Sequence, residues 1–172
     1  VNSNAPVPMP EIPTLAQTFG DNGYQAYAVG KLHVHPQRSR IGFDEVLVDE
    51  EGRMHKAGMV EEYEIYIGGQ GYPGQRFAGG MNNNLYMTRP WHLPECLHVT
   101  DWATREMCKT ILRRDPDRPA FWYLSYSHPH PPLAPLRDYL GLYRDSEIPE
   151  PVVGDWVGRL HDEYPEISLT AE

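Results

Sequence analysis

The first sustained pattern along the chain begins at Thr14. Thr14 stands before Leu15, Ala16, Thr18 and Phe19, and Gln17 occupies the third position of a capping box. This predicts a helix that Gly23 stops in a left-handed turn. Residues 24–29 follow as an apolar and aromatic run, which predicts a buried strand. Gly30, Lys31, Leu32 and His33 come off its C-terminal end, the edge at which open α/β sheets bind ligands. Residues 41–49, reading IGFDEVLVD, predict a second short strand. Residues 101–112 carry Trp102, Ala103, Met107, Ile111 and Leu112 on helical spacing, opened by Thr100 and closed by Arg113 and Arg114. After the break DPDRP at 115–119, residues 120–126 are almost wholly apolar or aromatic, which predicts a central strand covered on both faces.

The remaining segments lack such periodicity. Residues 1–13, with prolines at 6, 8, 10 and 13, predict an extended lead-in, and the Val1 start suggests that further sequence precedes it. Residues 50–99 are punctuated by Gly68, Gly69, Gly71, Gly74, Gly79, Gly80 and the Asn82–Asn84 run. They predict a loop-rich excursion with one short element near 60–67, lining a pocket or resting on another part of the protein. From Leu140 onward the pattern is polar and broken by prolines, as on a surface. The sum is an α/β fold: a mostly parallel or mixed sheet flanked by helices, with residues 1–172 belonging to one domain and 50–99 an excursion within it.

Composition narrows the function. Fifteen basic residues against 24 acidic ones give a formal charge of −9, a field that repels a nucleic-acid backbone. A locally positive pocket for a small anion is still compatible with it. No apolar run approaches the roughly 20 residues needed to span a bilayer, and localisation stays open. Cys96 and Cys108 make neither a disulfide framework nor a zinc pattern, and read as unpaired or packing thiols.

Chemistry concentrates in two places. Lys31 and His33 follow one predicted core strand, and His128 and His130 follow another. If the two strands share a sheet and a direction, all four side chains gather at one rim. A lysine and imidazoles there would surround an oxyanion and handle protons near neutral pH. Each histidine alone reads more readily as an ordinary loop residue, and two histidines flanking one proline do not complete a zinc site.

The same residues carry a family likeness. The runs at 14–19, Asn22-Gly23-Tyr24, Gly30-Lys31-Leu32-His33 and Gly42-Phe43-Asp44-Glu45, together with FWYLSYSHPHPPLAP at 121–135, resemble formylglycine-dependent sulfatases of the alkaline-phosphatase-like superfamily. The resemblance implies an internal part of the N-terminal catalytic domain of a sulfuric ester hydrolase, an arylsulfatase-like enzyme cleaving a sulfate monoester. Lys31 is similar to the lysine that binds sulfate oxygens beside the nucleophile. His33 is similar to the histidine that contacts the formylglycine and helps the covalent intermediate break down. His130 is similar to the histidine that holds sulfate and assists departure of the ester oxygen. His128 is a looser match, substrate-facing or one layer behind. Leu32 replaces the usual tryptophan, while Phe43 reads as a core plug and Asp44 as a turn or ion-pair residue.

The likeness also implies what lies outside this chain: the formylglycine motif, the ligands of a divalent ion expected to be calcium, and a second active-site lysine. His161-Asp162-Glu163 is no substitute for the metal ligands, so no residue is assigned to metal, and the chain alone is expected to be inactive. The expected partners are a small sulfate ester and the remainder of the catalytic domain. Two alternatives stand: a phosphonate monoester or phosphodiester hydrolase of the same superfamily, and a noncatalytic binding or structural module.

Overall fold

The computed structural model describes residues 7–53, 58–77 and 79–157. The chain divides after Arg137 into two units. The first contains a three-stranded parallel sheet of β1 (Gln25–Gly30), β2 (Glu45–Val48) and β3 (Ala120–Ser125), in the order β2-β1-β3. Helices α1 (Leu15–Asp21), α2 (Glu62–Gly69) and α3 (Val99–Arg113) accompany it. The α/β class with a parallel sheet flanked by helices is therefore as the sequence predicts. The second unit carries most of α4 (Arg137–Arg144), a helix in a segment that reads from sequence as irregular surface. The 161–163 acidic stretch lies outside the described residues.

Strand alternation sends β1 into two cores. Val29 joins Tyr63, Ile67, Trp102, Ala103 and Met107 on the α2–α3 side. Ala26 and Ala28 join Ala16 and Phe43 on the α1 side. A parallel strand buried on both faces reads as a continuous apolar run, and β1 is that strand. The corresponding expectation for residues 120–126 is corrected. Among the described residues β3 is the outer strand, with Tyr123 and Leu124 exposed by more than a third. Its apolar side chains serve both cores, Phe121 stacking on Phe19 at 4.5 Å on the α1 side and Trp122 on Tyr27 at 5.2 Å on the α2–α3 side.

The second strand is also shorter than the 41–49 run. Ile41 and Gly42 take left-handed backbone angles of 45° and 99° in φ, which a strand does not accept. The bend lets the Thr14 hydroxyl donate to the Ile41 carbonyl while the Thr14 Oγ1 accepts the Gln17 N–H, so the α1 cap and the turn into β2 fix each other. Asp44 Oδ2 then accepts the Ala26 N–H at 2.8 Å, and Phe43 is buried beneath, as a turn residue and a core plug. Helix α3 begins at Val99, one residue before Thr100, because His98 is its N-cap: Nδ1 accepts the Thr100 N–H. The 60–67 element is α2, running to Gly69.

One buried arginine fastens the excursion to the sheet. Arg76 donates to Asp49 just beyond β2, to Glu61 at 2.8 Å and to Glu64 at 2.6 Å, and lies 4.6 Å over the Tyr63 ring. Three carboxylates around one guanidinium leave an excess of negative charge in a poorly solvated place. Burial accordingly pushes the Glu61 carboxyl from 4.5 up to about 7 despite the opposing Arg76.

Two predictions follow from this packing. At Gly30, with φ of 104°, a Cβ would sit 1.8 Å from the Ser125 carbonyl oxygen. Gly30→Ala is expected to destabilise the chain by about 2 kcal/mol or more, read by urea unfolding. Between pH 4.5 and 7 the unfolded chain releases the Glu61 proton while the folded chain keeps it, so this contribution to stability is lost as pH rises through 7. His92, His98 and His128, all shifted downward chiefly by burial, act in the opposite sense and lose stability as pH falls through the ordinary imidazole value. In melting curves from pH 5 to 8, Glu61→Gln should therefore remove a downward slope that the parent chain shows and leave the acid-side loss intact.

Candidate functional site

Parallel register brings three strand ends to one rim. Gly30 lies between Val48 and Ser125, so Lys31, the Asp49-Glu50-Glu51 run and the segment after Ser125 leave the sheet side by side. The Lys31 N–H donates to the Ser125 carbonyl and the Asp49 N–H to the Gly30 carbonyl, both at 3.0 Å. The absence of a side chain on Gly30 permits that approach.

Each acid of the 49–51 run is buried and each has a different task. Asp49 meets Arg76. Glu50 Oε1 accepts the backbone N–H groups of Leu32 at 2.8 Å and His33 at 2.6 Å. This grip holds His33 at a φ of 55°, a left-handed conformation that a non-glycine residue keeps only under external constraint. Glu51, itself left-handed at 60°, turns its carboxylate into the rim. Oε2 accepts Lys31 Nζ at 2.8 Å and Arg53 at 3.0 Å, and Oε1 lies 3.2 Å from His130 Nδ1.

Arg53 completes the cluster. Its guanidinium lies against the His33 ring, 3.2 Å from Nε2, and reaches to 3.4 Å of His130 Nε2. Lys31, His33 and His130 are thus brought together, with Glu51 and Arg53 as the connecting groups. The structure does not place His128 in that contact set. His128 stacks on His98 with ring centroids 5.1 Å apart, and burial holds both imidazoles below their usual range, hence neutral at pH 7. His128–Pro129 and Pro131–Pro132 are cis peptides in the loop that carries His130.

Behind His128 and His130 lies a cavity of about 30 Å³, bordered by Tyr63, Arg76, Trp91 and Pro132. That is room for little more than a water molecule, so a substrate would have to approach from the outer side of the cluster. Glu51 and Arg53 carry no assignment from sequence alone. Their signal is the run of three acids directly after a strand, too acidic for a buried strand end unless each carboxylate has a partner.

The comparisons with known proteins agree with one another. The family model described as Sulfatase matches residues 1–153. An arylsulfatase of Clostridium perfringens is 33% identical over 162 residues, which cover 87% of this chain and 34% of that protein. The chain therefore spans about a third of the length of the curated relative it matches. The family match over most of the chain and the identity to this relative show that the chain belongs to the sulfatase family.

Proposed function

We propose that this chain supplies part of the oxyanion-binding face of a sulfuric ester hydrolase, within a single catalytic domain. The observation that supports this most directly is the set of donors around Glu51. Lys31, Arg53 and His130 surround its two carboxylate oxygens at 2.8–3.2 Å. A cluster that satisfies one oxyanion so fully has the polarity and spacing for another, the sulfate of a small ester.

In this reading the Lys31 ammonium keeps donors beyond the one given to Glu51 and binds sulfate oxygens. His130 holds sulfate and hands a proton to the departing ester oxygen. His33, held by Glu50 through its backbone, presents its imidazole to the formylglycine nucleophile and assists release of sulfate. His128, neutral and packed on His98, supports the loop from behind or borders the substrate.

The family also implies calcium, which would polarise bound sulfate. The described residues do not fit it as ligands. No group of three or more histidine, cysteine or acidic side chains among them is placed to hold a metal ion. The three most suggestive acids, Asp49, Glu50 and Glu51, are committed to Arg76, to backbone N–H groups and to the Lys31 cluster. Calcium ligands and the formylglycine are assigned to residues other than these. Among the described residues no helix is long and apolar enough to cross a membrane.

The test is a substrate panel on the full-length gene product. Aryl sulfates should be hydrolysed with a higher kcat/KM than phenyl phosphonate monoesters or phosphodiesters. A reversed order would replace the sulfatase reading with its phosphonate or phosphodiester alternative, and inertness to all three would favour a noncatalytic module. Lys31→Ala and His130→Ala should each lower kcat/KM for an aryl sulfate by about 100-fold or more, the scale of losing one oxyanion donor or a general acid. His128→Asn should have a much smaller effect in the same assay.

A further inference from the structure

The neighbours of His130 agree on where its proton sits. Nδ1 lies 2.8 Å from the Pro131 carbonyl oxygen and 3.2 Å from Glu51 Oε1. Both are acceptors, so Nδ1 carries the hydrogen and donates it to them. Nε2 lies 3.4 Å from Arg53, whose guanidinium is only a donor, so in the neutral ring Nε2 offers its lone pair. Lys31 shares the same carboxylate and faces Glu51 rather than the ring. Glu51 is thus the sole negative charge among these partners of His130, in a place where Lys31 and Arg53 would otherwise oppose a protonated imidazole.

We propose that Glu51 is a positioning residue for His130: it fixes the Nδ1–H tautomer and offsets the charge of the imidazolium, so that Nε2 is the nitrogen that protonates the leaving ester oxygen. This rests on the sulfatase reading above. In the step, an oxygen nucleophile bonds to sulfur as the sulfur–ester oxygen bond breaks. The Nε2 proton passes to that ester oxygen, which leaves as an alcohol or phenol. The imidazole returns to neutrality with Nδ1–H still directed at Glu51 and Pro131. No sequence motif marks Glu51 for this task. The geometry does so through a carboxylate–imidazole pair of the kind that orients a ring for proton transfer.

His98 provides an internal contrast, because its tautomer is the opposite one. Its Nδ1 accepts the Thr100 N–H and its Nε2 faces the Ala134 carbonyl at 3.2 Å. Long-range proton–nitrogen NMR on the full chain should find His130 as Nδ1–H and His98 as Nε2–H, with His130→Asn identifying the signal. In Glu51→Ala the His130 signals should move toward a mixture of tautomers while those of His98 stay, which also shows that the fold persists. An unchanged His130 tautomer in that variant would overturn the proposal.

The second measurement uses aryl sulfates of graded leaving ability on the full-length gene product. Glu51→Gln should lower kcat/KM about threefold for a nitrophenyl leaving group, which needs little protonation, and about 100-fold for an unactivated phenol. An equal loss across the series would mean that Glu51 merely supports the fold, and would overturn the positioning role. If Glu51→Ala shifts the tautomer but no aryl sulfate is hydrolysed by the parent protein, the sulfatase reading fails together with the leaving-group role, and only the hold on the imidazole survives.

Discussion

Three consecutive carboxylates buried at the end of β2 set the terms for everything around them. An ionised carboxylate removed from water is strongly unfavourable unless charge and hydrogen bonds replace the lost hydration. Asp49, Glu50 and Glu51 are each at most 5% exposed, so the protein has to bring three sets of donors to one place. Asp49 draws in Arg76 from the glycine-rich excursion, Glu50 draws in the backbone of the Lys31–His33 turn, and Glu51 draws in Lys31, Arg53 and His130. The excursion, the turn and the histidine loop come from distant parts of the sequence. Their meeting point is the tip of one four-residue strand.

That arrangement reconciles a strongly acidic chain with the oxyanion site proposed for it. A net charge of −9 describes the long-range field, while the rim is governed by groups within a few ångströms. Glu51 pairs with both Lys31 and Arg53, and the pairing holds both long side chains in place before any ligand arrives. Preorganisation of this kind is what separates a catalytic cluster from a collection of surface charges.

Much of the scaffold is legible in the residues themselves. Thr14 and Gln17 announce α1, Gly23 its end, and the Trp102–Met107 spacing the buried face of α3. The pairing of Lys31 with His130 follows once the strands before them are taken as parallel neighbours, which they are. What escapes the sequence is information carried by partners. An apolar run such as 120–126 looks the same whether it is central or outermost, since that depends on which strands flank it. The 41–49 run hides a left-handed bend at Ile41 that only the Thr14 hydroxyl explains. His128 and His130 are chemically identical in the sequence. One is committed to His98 and the other to Glu51, a distinction visible only once their neighbours are in place. Arg53 looks like a surface cation until its position between two imidazoles is seen.

Glu50 grips the main chain of Leu32 and His33 and touches neither side chain in doing so. The pose of the turn is consequently indifferent to what residue 32 carries. Leu32 is left to pack beside Ala28 and Phe43, where bulk and shape matter but chemistry does not. A change of side chain at this position would therefore be felt in the packing beneath the turn, while the backbone hold on the lysine before it and the histidine after it stays as it is.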